Sequence, residues 1–369
     1  MPVSQEEAFA RIRLLRSPHV GPVSFRQLLA RFGNAVAALE ALPEMASRGG
    51  GKGQVAPEAL VRAEVAAVRA AGARYLFHDD PAFPALLAEL HNGPPILTVR
   101  GDLALLQKPA VAIVGARNAS AAAISLARQF GRELAAQGRL VVSGLARGID
   151  AAAHEGALAE GATAGVIASG IDIAYPPEHA ALQDRIAAEG VLIAEQPAGT
   201  QPQARHFPSR NRIIAGMAAG TVVVEAAPKS GSLITARIAA EAGREVMAVP
   251  GNPRDARARG CNYLIREGAV LVQGAEDIAE LLDSFTGSPR SRFREEAPVF
   301  AHLAPDEAAE TIADAAPADI AGLISSAPVM VDELIRTSGA APSAVQLALL
   351  EMELAGRIQR HAGGRVSLI

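Results

Sequence analysis

The chain has 369 residues, half of them hydrophobic, and a formal net charge of -4. That length allows two or three domains around a sizeable core, and that apolar content excludes a disordered chain. The single cysteine, Cys261, excludes an intrachain disulfide framework and a cysteine-rich metal site, while the absence of a long apolar run or an amino-terminal leader pattern leads us to expect a cytoplasmic protein without a membrane span.

Residues 1–74 read as helical. Ser4 precedes Glu7 by three, a capping-box spacing, and Phe9, Ile12 and Leu15 follow as an apolar stripe. Val20-Gly21-Pro22 breaks the pattern, Phe25, Leu28, Leu29 and Phe32 resume it, and Gly33-Asn34 stops it. Two short helices around a glycine turn resemble a helix-hairpin-helix or SAM-like module, which either holds phosphate on its turn amides or serves as a packing domain. Ten Lys/Arg against six Glu leave this segment at +4. Arg48-Gly49-Gly50-Gly51-Lys52-Gly53 reads as a flexible loop.

Residues 75–108, with Pro81, Pro84, Pro94 and Pro95, read as an extended irregular connector. From Ala110 the pattern changes. Short apolar runs at 111–115, 140–144, 164–168, 191–195, 221–225 and 245–249 alternate with helical stretches, which predicts a doubly wound, Rossmann-like parallel sheet. Ligands of such sheets sit beyond the carboxyl ends of the strands. The core domain is expected over 75–283, a polar linker over 284–304, and a separate unit over 305–369. In that unit Val331, Leu334 and Ile335 mark one helix, and Val345 to Leu354 a second. Residues 358–361 and 365–368 flank Gly363-Gly364 as two strands, which is a winged-helix pattern. It fits DNA binding and protein docking equally.

The strand ends carry the chemistry. Gly115-Ala116-Arg117, Ser143 to Asp150, and Lys229 to Thr235 each combine glycine or small residues with donors, as a phosphate cradle does. Asp150 is placed to cap the next helix. Its spacing from His154 invites a metal, but a cap plus a buried polar residue explains the pair without a third ligand. The strongest signal is His206-Phe207-Pro208-Ser209-Arg210-Asn211-Arg212: no acidic residue lies between Glu195 and Glu225, so this is a local cationic patch beside an aromatic ring. Phe207 stacks on a base or anchors the loop. Arg117, Ser143, Arg147, His206, Phe207, Arg210, Asn211, Arg212, Lys229 and Ser230 should therefore converge on one rim and meet an extended anion. Neither paired carboxylates nor a nucleophilic triad accompany them, so no enzyme and no cofactor or metal is expected.

In order and spacing, Val114-Gly115-Ala116-Arg117, Ser143 to His154, Phe207 to Gly216 and Ser230 to Ala236 resemble the DNA-processing protein A family (DprA, also called Smf) along the whole chain. The resemblance implies a single-stranded DNA-binding protein that forms a homodimer and loads the RecA recombinase onto incoming strands during natural transformation. It also implies that Arg117 and Arg210-Asn211-Arg212 fall in the DNA pocket, with Ser143, Arg147, His206, Phe207 and Lys229 as neighbours. Glu195-Gln196-Pro197 departs from the expected Ser-Glu-Pro-like segment. Two alternatives compete. One is a nucleoside-monophosphate hydrolase of the lysine-decarboxylase-like group, whose Pro-Gly-Gly-x-Gly-Thr segment is absent here. The other is a regulator reading duplex DNA through residues 305–369.

Overall fold

The computed structural model describes residues 3–285, 320–361 and 363–369. It divides into two compact units, Met1–Ala63 with Val299–Ile369, and Glu64–Pro298. All but the first two residues of the expected 284–304 linker lie outside the described residues, as do residues 305–319 of the expected carboxyl-terminal unit.

The chain opens with α1 (Gln5–Arg16), α2 (Pro22–Phe32), α3 (Ala35–Arg48) and α4 (Glu58–Ala70). Ser4 caps α1 by accepting from the Glu7 amide at 3.1 Å. The Glu7 carboxylate does not complete the expected capping box. It accepts from the Ala35 amide at the start of α3 and from Arg11 Nε at 2.8 Å, which ties two helices together. Gly33 ends α2 in the left-handed conformation, at φ 79°, and Asn34 caps α3.

The second unit contains β1 (Arg74–Phe77), α5 (Ala85–Ala88), β2 (Ile96–Gly101), β3 (Ala110–Val114), α6 (Ala121–Ala136), β4 (Leu140–Ser143), α7 (Ile149–Leu158), β5 (Thr163–Gly170), α8 (Ala180–Glu189), β6 (Val191–Gln196), α9 (His206–Met217), β7 (Gly220–Val223), α10 (Gly231–Glu241), β8 (Glu245–Ala248), α11 (Arg259–Arg266), β9 (Val270–Leu271) and α12 (Ala275–Asp283). They build a nine-stranded sheet in the order β1-β2-β6-β5-β4-β3-β7-β8-β9. From β6 to β9 all neighbours run parallel. The expected irregular connector is corrected here: β1 and β2 pair antiparallel and β2 adds antiparallel to β6, so the segment extends the sheet.

Alternation explains the layers. Val111 and Ile113 of β3 face one core with α6, α7 and α12, while Ala110, Ala112 and Val114 face another with α9 and α10. Both faces of each central strand are covered, which is why these strands read as continuous apolar runs. Strand order reverses at β3: β4 to β6 follow on one side and β7 to β9 on the other. The crevice beyond β3 and β7 is therefore the topological switch point.

After residue 319 come β10 (Val329–Met330), α13 (Val331–Ser338), α14 (Pro342–Leu354), β11 (Ile358–His361) and β12 (Arg365–Leu368). The strands form a three-stranded sheet, β10-β12-β11, over a core of Val331, Leu334, Val345, Leu349 and Met352. This is a winged helix; its short first strand, β10, went unread in the sequence.

Candidate functional site

Three loops meet beyond the carboxyl ends of β3, β4 and β7, joined by the start of α9. The β3 loop returns to the sheet through the Ala116 amide, which donates to the Glu225 carbonyl at 2.6 Å. Ser120 caps α6, and its own amide donates to the buried Glu225 carboxylate at 2.8 Å. Gly148 is required where the β4 loop crosses the β3 loop. It has φ 76°, and a Cβ there would lie 2.3 Å from the Ala116 carbonyl oxygen.

Beneath these loops lies a buried ion pair. Arg210, in the first turns of α9, brings Nη1 to 3.9 Å from Asp150 Oδ2, with side chains 7% and 8% exposed. Asp150 also accepts from the amides of Gly144 at 3.2 Å and Ala146 at 3.4 Å. Burial raises the Asp150 carboxyl above its ordinary pKa and lowers that of the Arg210 guanidinium, and each charge restrains the other's shift. Asp150 thus does not cap α7, whose first residue is Ile149. It holds the β4 loop onto Arg210. His154, one turn on, is buried and neutral: its Nδ1 lies 2.7 Å from Thr163 Oγ1, and burial pushes its pKa down to about 3.

Above the pair, the rim carries a run of flat groups. The Arg117 guanidinium carbon lies 5.3 Å from the Phe207 ring centroid. The Tyr175 ring lies 5.7 Å from Phe207 on a 56° tilt and is 40% exposed. Arg117 is exposed and Phe207 half-buried, so Phe207 packs between its neighbours and still presents a surface. Tyr175 was missed by sequence reasoning. It sits in a proline-rich turn after β5, far from the cationic stretch in sequence.

The other expected residues fall into two groups. Arg147 and Lys229 are exposed, while Asn211 and Ser230 are half-buried. Arg147 is exposed and pairs with Glu178. Lys229 is exposed at φ 67° immediately before α10, whose cap is Ser230. Asn211 Nδ2 reaches the Gly231 carbonyl at 3.5 Å, which ties α9 to the start of α10. Ser143, His206 and Arg210 are buried and Arg212 is largely buried, so these four lie deeper than Arg117 and Arg147. Ser143 is fully buried, and its hydroxyl donates to the Ile113 carbonyl at 2.6 Å. His206 is buried, its Nδ1 accepts from the Gln203 amide at 3.3 Å, and burial with the nearby Arg205 charge lowers its pKa. Arg212 is largely buried in an ion pair with Glu195, which gives the unusual Glu195-Gln196-Pro197 segment a partner. Cys261 is buried, and burial pushes its thiol up to about 12, which removes it as a nucleophile. Among the described residues no cluster of His, Cys, Asp and Glu is arranged to hold a metal ion, and no helix is long and apolar enough to cross a membrane.

Residues 74–283 match the family model "DNA recombination-mediator protein A", residues 5–67 a DprA-like N-terminal HHH domain, and residues 294–364 a DprA winged helix domain. The chain is 42% identical over 220 residues to the DNA processing protein DprA of Bacillus subtilis, covering 59% of this chain and 74% of that one. It resembles the crystal structure of DNA processing protein A from Streptococcus pneumoniae with a TM-score of 0.64 and 33% identity, over 76% of this chain and 98% of that one. It also resembles a structure describing the single-stranded DNA binding mode of DNA processing protein A from Helicobacter pylori. There the TM-score is 0.52 and the identity 29%, over 58% of this chain and 97% of that one.

Proposed function

The chain belongs to the DNA recombination-mediator protein A family, and from that premise we propose that it binds single-stranded DNA at this rim as a recombination mediator and does no chemistry on it. The observation that carries the reading is the contact of Phe207 with Arg117 on one side and the tilted ring of Tyr175 on the other. An exposed tyrosine and a half-buried phenylalanine beside a guanidinium suit unpaired bases, which offer a π-face whatever their sequence. In a duplex those faces are hidden by neighbouring base pairs. Phosphates fit the adjoining positions: Arg117 and Arg147 on the β3 and β4 loops, and Lys229 with the amides at the start of α10. The Arg210–Asp150 pair stiffens the loops from below and touches no ligand.

In the cytoplasm the protein would shield incoming strands and load the RecA recombinase during natural transformation. Assembly as a homodimer is part of the same proposal. It is supported by Ile234, Tyr263 and Leu271, large side chains left 46%, 48% and 45% exposed on elements at the β8–β9 end of the sheet. Titration of oligo-dT into wild type and Arg117→Ala tests the site. A large loss of affinity with an unchanged thermal transition supports it, and unchanged affinity overturns it. Loading is tested by RecA filament growth on strands already coated with a single-strand-binding protein. Failure of the chain to speed that growth removes the loading step alone.

A further inference from the structure

The winged helix offers a helix for reading DNA and covers it from Val345 onward, leaving the first residues, Pro342 to Ala344, exposed. In such modules the second helix of the helix-turn-helix, here α14 ahead of the β11–β12 wing, is the one laid into a major groove. Its composition is wrong for that task. Between Pro342 and Leu354 there is no Lys or Arg, and the charged residues are Glu351 and Glu353. A helix without a cation offers nothing to neutralise phosphate and no Arg or Lys to read guanine; its base-edge donors are Ser343 and Gln346, and Gln346 is already taken by Gln27.

Its surroundings agree. From Val345 to Ala355 every residue is buried or half-buried. One side belongs to the winged-helix core through Val345, Leu349 and Met352. The other side meets the amino-terminal helices of the same compact unit. The two backbones approach so closely that only glycine fits. A Cβ on Gly49 would lie 2.0 Å from the Glu351 carbonyl oxygen, and one on Gly51 would lie 2.5 Å from Ala355 Cα. The Gly-rich segment after α3, which reads in sequence as a flexible loop, is thus shaped to the end of α14. Polar contacts match across the seam. Gln27 Nε2 donates to Gln346 Oε1 at 3.3 Å, Arg357 Nη1 to the Gly49 carbonyl at 3.4 Å, and Arg48 faces Glu351 at 3.9 Å. The wing's Arg360 turns inward to Glu353 at 2.8 Å and to Gln27 at 3.5 Å.

We infer that the winged helix of this chain is a protein-docking module, with α14 committed to the amino-terminal helices α2 and α3, and that it does not read duplex DNA through that helix. The inference is independent of the rim on the large sheet, because it concerns the other compact unit. The test uses the full chain with Gln27→Cys and Gln346→Cys joined by a short bis-maleimide; the native Cys261 is buried and serves as an unreactive background. The expected result is an efficient intramolecular cross-link that leaves affinity for duplex and for oligo-dT unchanged. Absence of the cross-link, or a product that joins only two copies, overturns docking within one chain. Loss of duplex affinity on cross-linking shows that α14 reads DNA when released, and overturns the inference. A second variant, Gly51→Val, is followed by amide hydrogen exchange. Exchange along α14 should speed up by about tenfold or more as its cover is pushed away, with oligo-dT affinity retained. Unchanged exchange overturns the inference.

Discussion

The guanidinium of Arg210 runs directly beneath Gly144: a Cβ at position 144 would lie 1.2 Å from Nη1 and 2.8 Å from Asp150 Oδ2. Gly144 is therefore the opening through which a helix residue reaches a buried carboxylate, and the β4 loop is built around it.

Removing that cation should destabilise the fold before it affects the ligand. Arg210→Ala leaves Asp150 buried without its partner, a change that costs about 3–5 kcal/mol in comparable buried pairs. Gly144→Ala should displace the same guanidinium and lower the urea midpoint in the same direction. Urea unfolding beside DNA titration separates the roles. Arg117→Ala should keep the midpoint and lose affinity, while Arg210→Ala should lower the midpoint. An Arg210→Ala protein of full stability that has lost DNA affinity would make Arg210 a direct contact.

The flat groups on the rim should act through base stacking. Phe207→Ala and Tyr175→Ala are each expected to weaken oligo-dT binding by about 1–3 kcal/mol, the range for one stacked base. Wild type should prefer a strand with bases over an abasic strand, and both variants should lose much of that preference. Equal losses on the two strands would mean that the rings only shape the loop.

Acid should unfold the protein partly through His154. Its pKa is about 3 in the fold against 6.5 for an unperturbed histidine, so the unfolded chain binds the proton first. The stability it contributes is complete above about pH 6.5 and is lost as pH falls toward 3. Asp150 works with the opposite sign. Its raised pKa makes the folded state hold the proton longer, so its contribution falls as pH rises above the ordinary carboxylate value. Comparing wild type with His154→Gln isolates the histidine. The variant's urea midpoint should fall less steeply between pH 6.5 and 4, and identical slopes would show that His154 is not held neutral by the fold.

The central strands are legible in the sequence because each is buried on both faces, which writes continuous runs such as Val111 to Val114. β1 and β2 are not, because Arg74–Phe77 is short and prolines crowd the chain between them. The cationic stretch from His206 to Arg212 identifies the site by residue type and does not reveal depth. Burial separates Arg210 and Arg212, committed to Asp150 and Glu195, from Arg117, which stands in solvent. Tyr175 gives no periodic or charge signal and becomes visible only when β5 delivers it beside Phe207. The glycines at 49 and 51 mislead for the same reason: their partner, the end of α14, is far along the chain.

The most direct test of the account is an anisotropy titration of the full chain with oligo-dT and with a duplex of equal length across a salt series. The account predicts much tighter binding of the single strand. Its log affinity should fall linearly with log salt, by about 0.7 per phosphate neutralised. Equal or tighter binding of the duplex, or affinity that does not change with salt, would contradict it.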